Sequence, residues 1–265
     1  MIKEITSLKN PRIKNLLLLK EKSKQRREKG LFIIEGKREV LLAIQSGYTI
    51  ETVYFEPQLF SKNEIFQLES YNFECIQIDA KIYEKIAYRG STEGVFAVAK
   101  SKNLSLSQLQ IKSQNPLILV AESPEKPGNI GALLRTADAA KIDAVIIADP
   151  RTDVYNPNVI RSSVGGLFST QIATGSTEEV IAFLKQKNIS IYSAILQDSK
   201  PYTDIHFQHP SAIVVGTESD GLSEQWRTTA THCIHIPMLG TVDSMNVSVA
   251  AGILLYEAKR QRAFQ

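Results

Sequence analysis

The chain has only two cysteines, Cys75 and Cys233, far apart and without CxxC spacing. Neither a disulfide framework nor a thiolate metal centre is expected, and both read as ordinary buried residues. No apolar run approaches the ~20 residues needed to cross a bilayer. Leu16 to Leu19 are too few for a secretory signal, and no small-residue cleavage site follows them. A cytoplasmic protein is therefore expected. The chain also lacks GxGxxG and GxxxxGKS/T, which argues against a nucleotide-dependent enzyme of Rossmann or P-loop type. His206/His209 and His232/His235 have HxxH spacing, but only Cys233 stands near enough to add a ligand, so no metal is expected. Internal repeats and low-complexity tracts are absent.

What is present suffices for one large or two ordinary domains: 265 residues, 43% of them hydrophobic. The net charge of +3 is unevenly spread. Residues 1–39 hold 12 Lys/Arg against 5 Asp/Glu, net +7, which leaves 19 against 23, net −4, for residues 40–265. Taken alone, the basic run KEKSKQRREKG (20–30) is a solvated helix face.

After this arm, LFIIEG (31–36) reads as a strand and turn, and KREVLLAIQSG (37–47) as a helix stopped by Gly47. TVYFE (52–56), a helical stretch near 61–70, FECIQID (73–79), a helix near 80–87 and GVFAVA (94–99) continue a small α/β unit. The polar segment 101–116, ending at Pro116, reads as a linker between domains 1–100 and 117–265. Beyond it, LILVA (117–121), AVIIA (144–148), ISIYSAIL (189–196), AIVVG (212–216) and CIHIP (233–237) predict parallel strands covered on both faces. Such sheets bind ligands at the carboxyl ends of their strands.

Three segments at or just beyond such ends join apolar runs to turns: PEKPGNIGALLRTADAA (124–140), VVGTESDG (214–221) and IPMLGTVDSMNVSVAAGILLYEA (236–258). In the first, Asn129 is suited to cap a helix from Ile130 to about Ala140. Ile130, Leu133, Leu134 and Ala137 share one face of that helix, while Gly131, Arg135 and Asp138 share another. Gly131 would leave room for a backbone or a ribose to approach. In the third segment Pro237 fixes the backbone between Ile236 and Met238, and Gly252 suggests close helix packing.

In order and content these segments resemble the three motifs of the SpoU (TrmH-like) RNA ribose 2′-O-methyltransferases. The resemblance implies a mainly parallel α/β fold with a C-terminal trefoil knot, a homodimer, and S-adenosylmethionine as cofactor. It implies catalytic roles for Arg135, Asn129, Glu218, Ser244 and Asn246, and cofactor contacts at Leu196, Gly216, Ile236, Met238 and Met245. Thr217 stands where the family commonly has Asn, and Met245 where it usually has Leu, a swap that conserves volume. The expected substrate is structured RNA, ribosomal in the first instance; a transfer-RNA enzyme and a non-enzymatic RNA-binding or assembly factor are the alternatives. Residues 1–99 resemble the ribosomal-protein-like RNA-binding domain that precedes many such catalytic domains, carried by LFIIEGKREVLLAI (31–44) and STEGVFAVA (91–99). Lys9, Arg12, Lys14, Lys24, Arg26, Arg27, Arg38 and Arg89 are then the expected phosphate contacts, joined by Arg161 from NPNVIRSSVGGLF (156–168). A guanidinium with a pKa above ~12 is a poor general base. Arg135 is better suited to pair with the adjacent phosphate and stabilise alkoxide character on the 2′-oxygen.

Overall fold

The computed structural model describes residues 2–61, 63–64, 73–88, 93–217 and 219–264. The chain forms two compact units, one running through Lys102 and including Tyr155–Arg161, the other comprising Asn103–Val154 and the residues from Ser162 onward.

The first unit is built on β1 (Lys3–Ile5), β2 (Leu31–Glu35), β3 (Ile50–Phe55), β4 (Glu74–Ile78) and β5 (Val95–Lys100), in the order β1-β4-β3-β5-β2. β1 and β3 run parallel to β4, whereas β5 is antiparallel to both β3 and β2. Helices α1 (Pro11–Glu21), α2 (Ser23–Lys29), α3 (Lys37–Gln45) and α4 (Ala80–Ile86) accompany them. α1 starts where Asn10 accepts from the Arg12 N–H at 2.9 Å and Pro11 presets the first turn. Its Ile13, Leu16 and Leu19 recur at helical spacing and are buried with Ile33, Ile76, Ile82 and Phe96, so the leucine run is a core face. The helical stretch expected near 61–70 lies largely outside the described residues. β1 was not foreseen, because three residues carry no readable period.

The second unit is a parallel sheet of β6 (Leu117–Glu122), β7 (Ala144–Ala148), β8 (Ile172–Gly175), β9 (Ser190–Ala194), β10 (Lys200–Pro201), β11 (Ser211–Val215) and β12 (His232–His235), ordered β10-β12-β9-β11-β6-β7-β8. Strands occur at all the apolar runs read from 117 onward; β8 and β10, short and mixed in composition, were not foreseen. The helices are α5 (Pro127–Ala139), α7 (Gly166–Ser169), α8 (Thr177–Gln186), α9 (Glu224–Thr229) and α10 (Val247–Gln261), while α6 (Pro157–Ser163) belongs to the first unit as far as Arg161. Part of the segment read as linker is docked in this unit. The Thr174 N–H donates to Leu104 O at 2.6 Å, the Gln110 N–H donates to Gln171 Oε1 at 2.9 Å, and Leu106, Leu109 and Ile111 pack on the core around Trp226.

α10 packs against α5, and a Cβ added to Gly252 would rest 3.7 Å from Thr136 Cγ2, in ordinary contact. Beyond the helix end, Arg262 donates to Phe207 O at 2.7 Å, Asn115 O at 2.6 Å, His209 O at 2.5 Å and Ser211 Oγ at 3.1 Å. That guanidinium fixes the chain terminus of α10 to the loops that lead into β6 and β11. Among the described residues no helix is long and apolar enough to cross a membrane.

Candidate active site

The carboxyl ends of β6, β9, β11 and β12 lie side by side because the strands are parallel and neighbours in the sheet. Two recesses open there. One is lined by Ala121, Lys126, Asn129, Gly216, Thr217 and Val247, and the other by Leu196, Ile236, Met238, Ser244, Met245 and Leu254 together with His235 and Asp243. Four of the five expected cofactor residues thus wall one recess. The fifth, Gly216, belongs to the neighbouring one beside Asn129.

Asn129 does not cap α5. Lys126 is the cap and Pro127 the first helical residue, a position where proline has no N–H to waste, so Asn129 falls inside the first turn. This leaves its amide for another partner: Asn246 Nδ2 donates to Asn129 Oδ1 at 3.1 Å across 117 residues of sequence. Asn246 is in turn the cap of α10, its Oδ1 accepting from the Ser248 N–H at 3.0 Å and Ser248 Oγ at 2.6 Å. One side chain therefore both starts the C-terminal helix and holds the first motif. Arg135 lies six residues beyond Asn129, about 9 Å along the axis at 1.5 Å per residue. It is exposed, and among the described residues its side chain has no hydrogen-bond or ion-pair partner.

Gly131 is buried within α5. Gly166 approaches α5 closely, since a Cβ added to it would lie 2.8 Å from Leu134 O. Gly216 faces the tip of its own loop: Thr217 and Gly221 exchange N–H···O bonds of 3.1 and 3.2 Å, and a Cβ at Gly216 would fall 2.2 Å from the Gly221 carbonyl. Glu218 lies outside the described residues.

The second recess has an apolar floor, Leu254 from α10 and Ile234 from β12, both buried. Its rim is open: Leu196 is 52% exposed and Leu239 nearby in sequence 97%. Cys233, one strand position from this floor, is half-buried where a buried residue was expected, and burial raises its thiol pKa, which disfavours a reactive thiolate. Sequence reasoning missed His235 and Lys126; adjacency to Ile236 at a strand end and to Pro127 at a helix start were the signals available. It also missed Glu122, a buried carboxylate that accepts from the Ser223 N–H at 2.8 Å and from Thr177 Oγ1 at 3.3 Å, joining the starts of α8 and α9 to the end of β6.

In the first unit Lys9, Arg12, Lys14, Lys24, Arg27 and Arg38 are exposed, as phosphate contacts must be. Arg26 is a correction. It is 4% exposed and donates to Leu19 O at 2.7 Å and Lys20 O at 3.2 Å, capping the carbonyl end of α1 from within α2. The basic run folds into two short helices, and the side chain that points inward takes this structural task. Arg12 pairs with Glu74 at 2.5 Å, and Lys24 with Glu28 at 3.7 Å. The Arg12 and Lys3 side chains hold the Glu74 carboxyl below its ordinary pKa. Arg161 lies 4.0 Å over the Tyr88 ring, while Arg89 lies outside the described residues.

Residues 116–256 match the model of the SpoU rRNA Methylase family, and residues 10–97 match an MRM3-like substrate binding domain. A 23S rRNA (uridine(2479)-2'-O)-methyltransferase of Streptomyces viridochromogenes is 30% identical, the alignment covering 98% of this chain and 93% of that protein. The 23S rRNA (guanosine(2553)-2'-O)-methyltransferase RlmP of Bacillus subtilis is 26% identical over 97% of this chain and 100% of its own length. Among solved structures, an AdoMet-bound rRNA methyltransferase from Sinorhizobium meliloti superposes with a TM-score of 0.90 at 28% identity, covering 98% of each chain. The SpoU methyltransferase AviRb from S. viridochromogenes with AdoMet gives 0.88 at 28% identity, covering 96% of this chain and 99% of that one. The chain belongs to the SpoU rRNA methylase family.

Proposed function

We propose that this protein transfers a methyl group from S-adenosylmethionine to a ribose 2′-hydroxyl of ribosomal RNA. The observation that carries the proposal is the Asn129–Asn246 hydrogen bond, which ties the first motif to the third beside the recess walled by Ile236 and Met245. The residues present suit the cofactor: an apolar floor and the flanking Ile236 and Met245 match a flat adenine, and Ser244 and Asp243 supply polar groups at the rim. Bound there, S-adenosylmethionine would supply a sulfonium methyl for in-line displacement.

The chain's own part is orientation and charge. Asn246 positions Asn129, and the pair fixes the start of α5. Farther along that helix Arg135, exposed and with no partner among the described residues, would meet an RNA phosphate and stabilise negative charge developing on the 2′-oxygen. Ser244 and Glu218 complete the proposed catalytic set, by resemblance. The exposed Lys9, Arg12, Lys14, Lys24, Arg27, Arg38 and Arg161 would hold phosphates, and residues 1–100 would form the substrate-binding domain, in keeping with the relative placement of the two family matches. The trefoil knot and the homodimer belong to the same reading. The return of α10 onto α5 supports the first, and Val249 and Tyr256, 53% and 45% exposed on α10, support the second. A cytoplasmic location goes with such a substrate.

The test is to map 2′-O-methylribose across ribosomal RNA by mass spectrometry, from cells with and without the gene. Loss of one methylated nucleotide, restored by purified protein and S-adenosylmethionine in vitro, is the expected result. Unchanged ribosomal RNA with a methyl lost from transfer RNA would redirect the substrate assignment, and no change in either would remove the catalytic one.

A further inference from the structure

The turn that closes one side of the second recess is held by a side chain with no assigned role. β9 ends at Ala194, and the following residues, Ile195 to Ser199, carry the chain to β10, which runs parallel to β9 on the far side of β12. Ile195 is still tied to the sheet, its N–H donating to Ile234 O at 2.9 Å. Beyond it Asp198 adopts a left-handed φ of 49°, a conformation Asp tolerates better than most residues, and Leu196 projects at the rim with 52% exposure. Ser199 Oγ stands 3.0 Å from Leu196 O and 2.9 Å from His235 Nδ1.

Proton accounting at Ser199 settles the direction of both bonds. A hydroxyl has one proton, and a carbonyl oxygen can only accept. If Ser199 donates to Leu196 O, as it must for that contact to be a hydrogen bond, it can bond His235 only by accepting. The proton between them is therefore on Nδ1. His235 Nδ1–H to Ser199 Oγ–H to Leu196 O is a directed chain, running from the end of β12 to the residue that walls the recess. It survives in both the neutral Nδ1–H tautomer and the cation, because both carry that proton.

We infer that His235 is a cofactor-positioning residue: acting through Ser199, it fixes the 195–199 turn and with it the Leu196 wall of the S-adenosylmethionine recess. His235 and Leu196 line the same recess, and Ile236 follows His235 directly, so one backbone segment sets both the Ile236 and the Leu196 sides of the pocket. A turn left free would have to be ordered on each binding event, and the entropy of ordering it would subtract from cofactor affinity. The inference rests on the cofactor occupying this recess.

The experiment is calorimetric titration of the full chain with S-adenosylmethionine for the wild type, His235→Ala, Ser199→Ala, the double Ala variant and His235→Asn, together with the KM for the cofactor and kcat. Losing one link of a hydrogen-bonded chain is worth about 1 kcal/mol, so each single Ala variant should bind about fivefold more weakly. The double variant should be no weaker than either single one, because both break the same chain. The KM for the cofactor should rise while kcat holds. Asn presents an amide N–H where His presents Nδ1–H, so His235→Asn should return affinity to within about twofold of wild type. Hydrogen exchange at the amides of 196–199 should quicken in both Ala variants and recover in Asn. Wild-type affinity in the single variants, or losses that add in the double, overturns the inference while leaving the recess as the cofactor site. A wild type whose Ile236 and Met245 resonances do not respond to S-adenosylmethionine overturns the site assignment, and this inference with it.

Discussion

Asn246 Nδ2 donates to Asn129 Oδ1 at 3.1 Å while its own Oδ1 caps the helix it begins. Two functions meet in one amide, and they can be separated by substitution. Asn246→Ser keeps a good cap but is too short to reach Asn129, so thermal stability should hold while methylation falls about tenfold. Asn246→Ala loses both and should also cost about 1 kcal/mol of stability. Melting temperature and single-turnover rate, measured on both variants, decide it; equal rates for Ser and wild type would leave the bond with a structural role only.

Arg135 is exposed and has no partner among the described residues, so removing it should barely touch the fold. Arg135→Ala should nonetheless slow single-turnover methylation by about 10²-fold, the scale of losing a preorganised charge-stabilising donor. Arg135→Lys should recover little, because an ammonium lacks the planar fork that can bridge two oxygens. The assay uses saturating ribosomal RNA and cofactor with direct detection of 2′-O-methylribose, and a near-normal rate for the Ala variant returns Arg135 to the surface-residue alternative.

Gly216 and Gly128 make a matched pair. A Cβ at Gly216 would collide with the Gly221 carbonyl at 2.2 Å, whereas one at Gly128 meets nothing within 4 Å. Gly216→Ala must open the Thr217–Gly221 turn and should weaken cofactor binding about tenfold, roughly 1.4 kcal/mol. Gly128→Ala should leave affinity unchanged and stabilise α5 by about 0.5–1 kcal/mol. Calorimetry and thermal melts on the two variants give the comparison; indistinguishable affinities would detach the 216–221 turn from the cofactor. A bulkier Gly216→Val would test folding more than binding.

In the basic run, position predicts function. Arg26→Ala withdraws a buried cation from two carbonyls at the end of α1 and should lower stability by about 1–3 kcal/mol. Lys24→Ala with Arg27→Ala removes two exposed charges and should leave stability unchanged while weakening RNA binding and flattening its dependence on salt. Denaturant titrations and filter binding at several salt concentrations separate the two outcomes. RNA binding with a wild-type salt slope would make those residues a solvated face only.

What the sequence by itself determined is everything that local chemistry or a chain-order pattern can carry. The apolar runs at 117–121, 144–148 and 212–216 are strands of a parallel sheet because continuous Val/Ile/Leu content suits a strand covered on both faces. The motifs at 124–140, 214–221 and 236–258 carried the resemblance to the family, whereas the start of α5 is misplaced from sequence: Asn129 reads as its cap, but Pro127 is its first residue, its missing N–H costing nothing there. Tertiary structure decided which side chains meet. Asn129 finds Asn246 only because α10 returns to pack on α5, Gly166 comes close to α5 from a distant segment, and Arg26 turns inward because α2 begins just beyond α1, within reach of its last carbonyls. The His235–Ser199–Leu196 chain joins residues that no spacing rule connects, since it depends on β12 lying beside β9 in the sheet. A side chain's partner is fixed by the packing of distant segments, and that packing is a sum over the whole core that no local stretch of sequence contains.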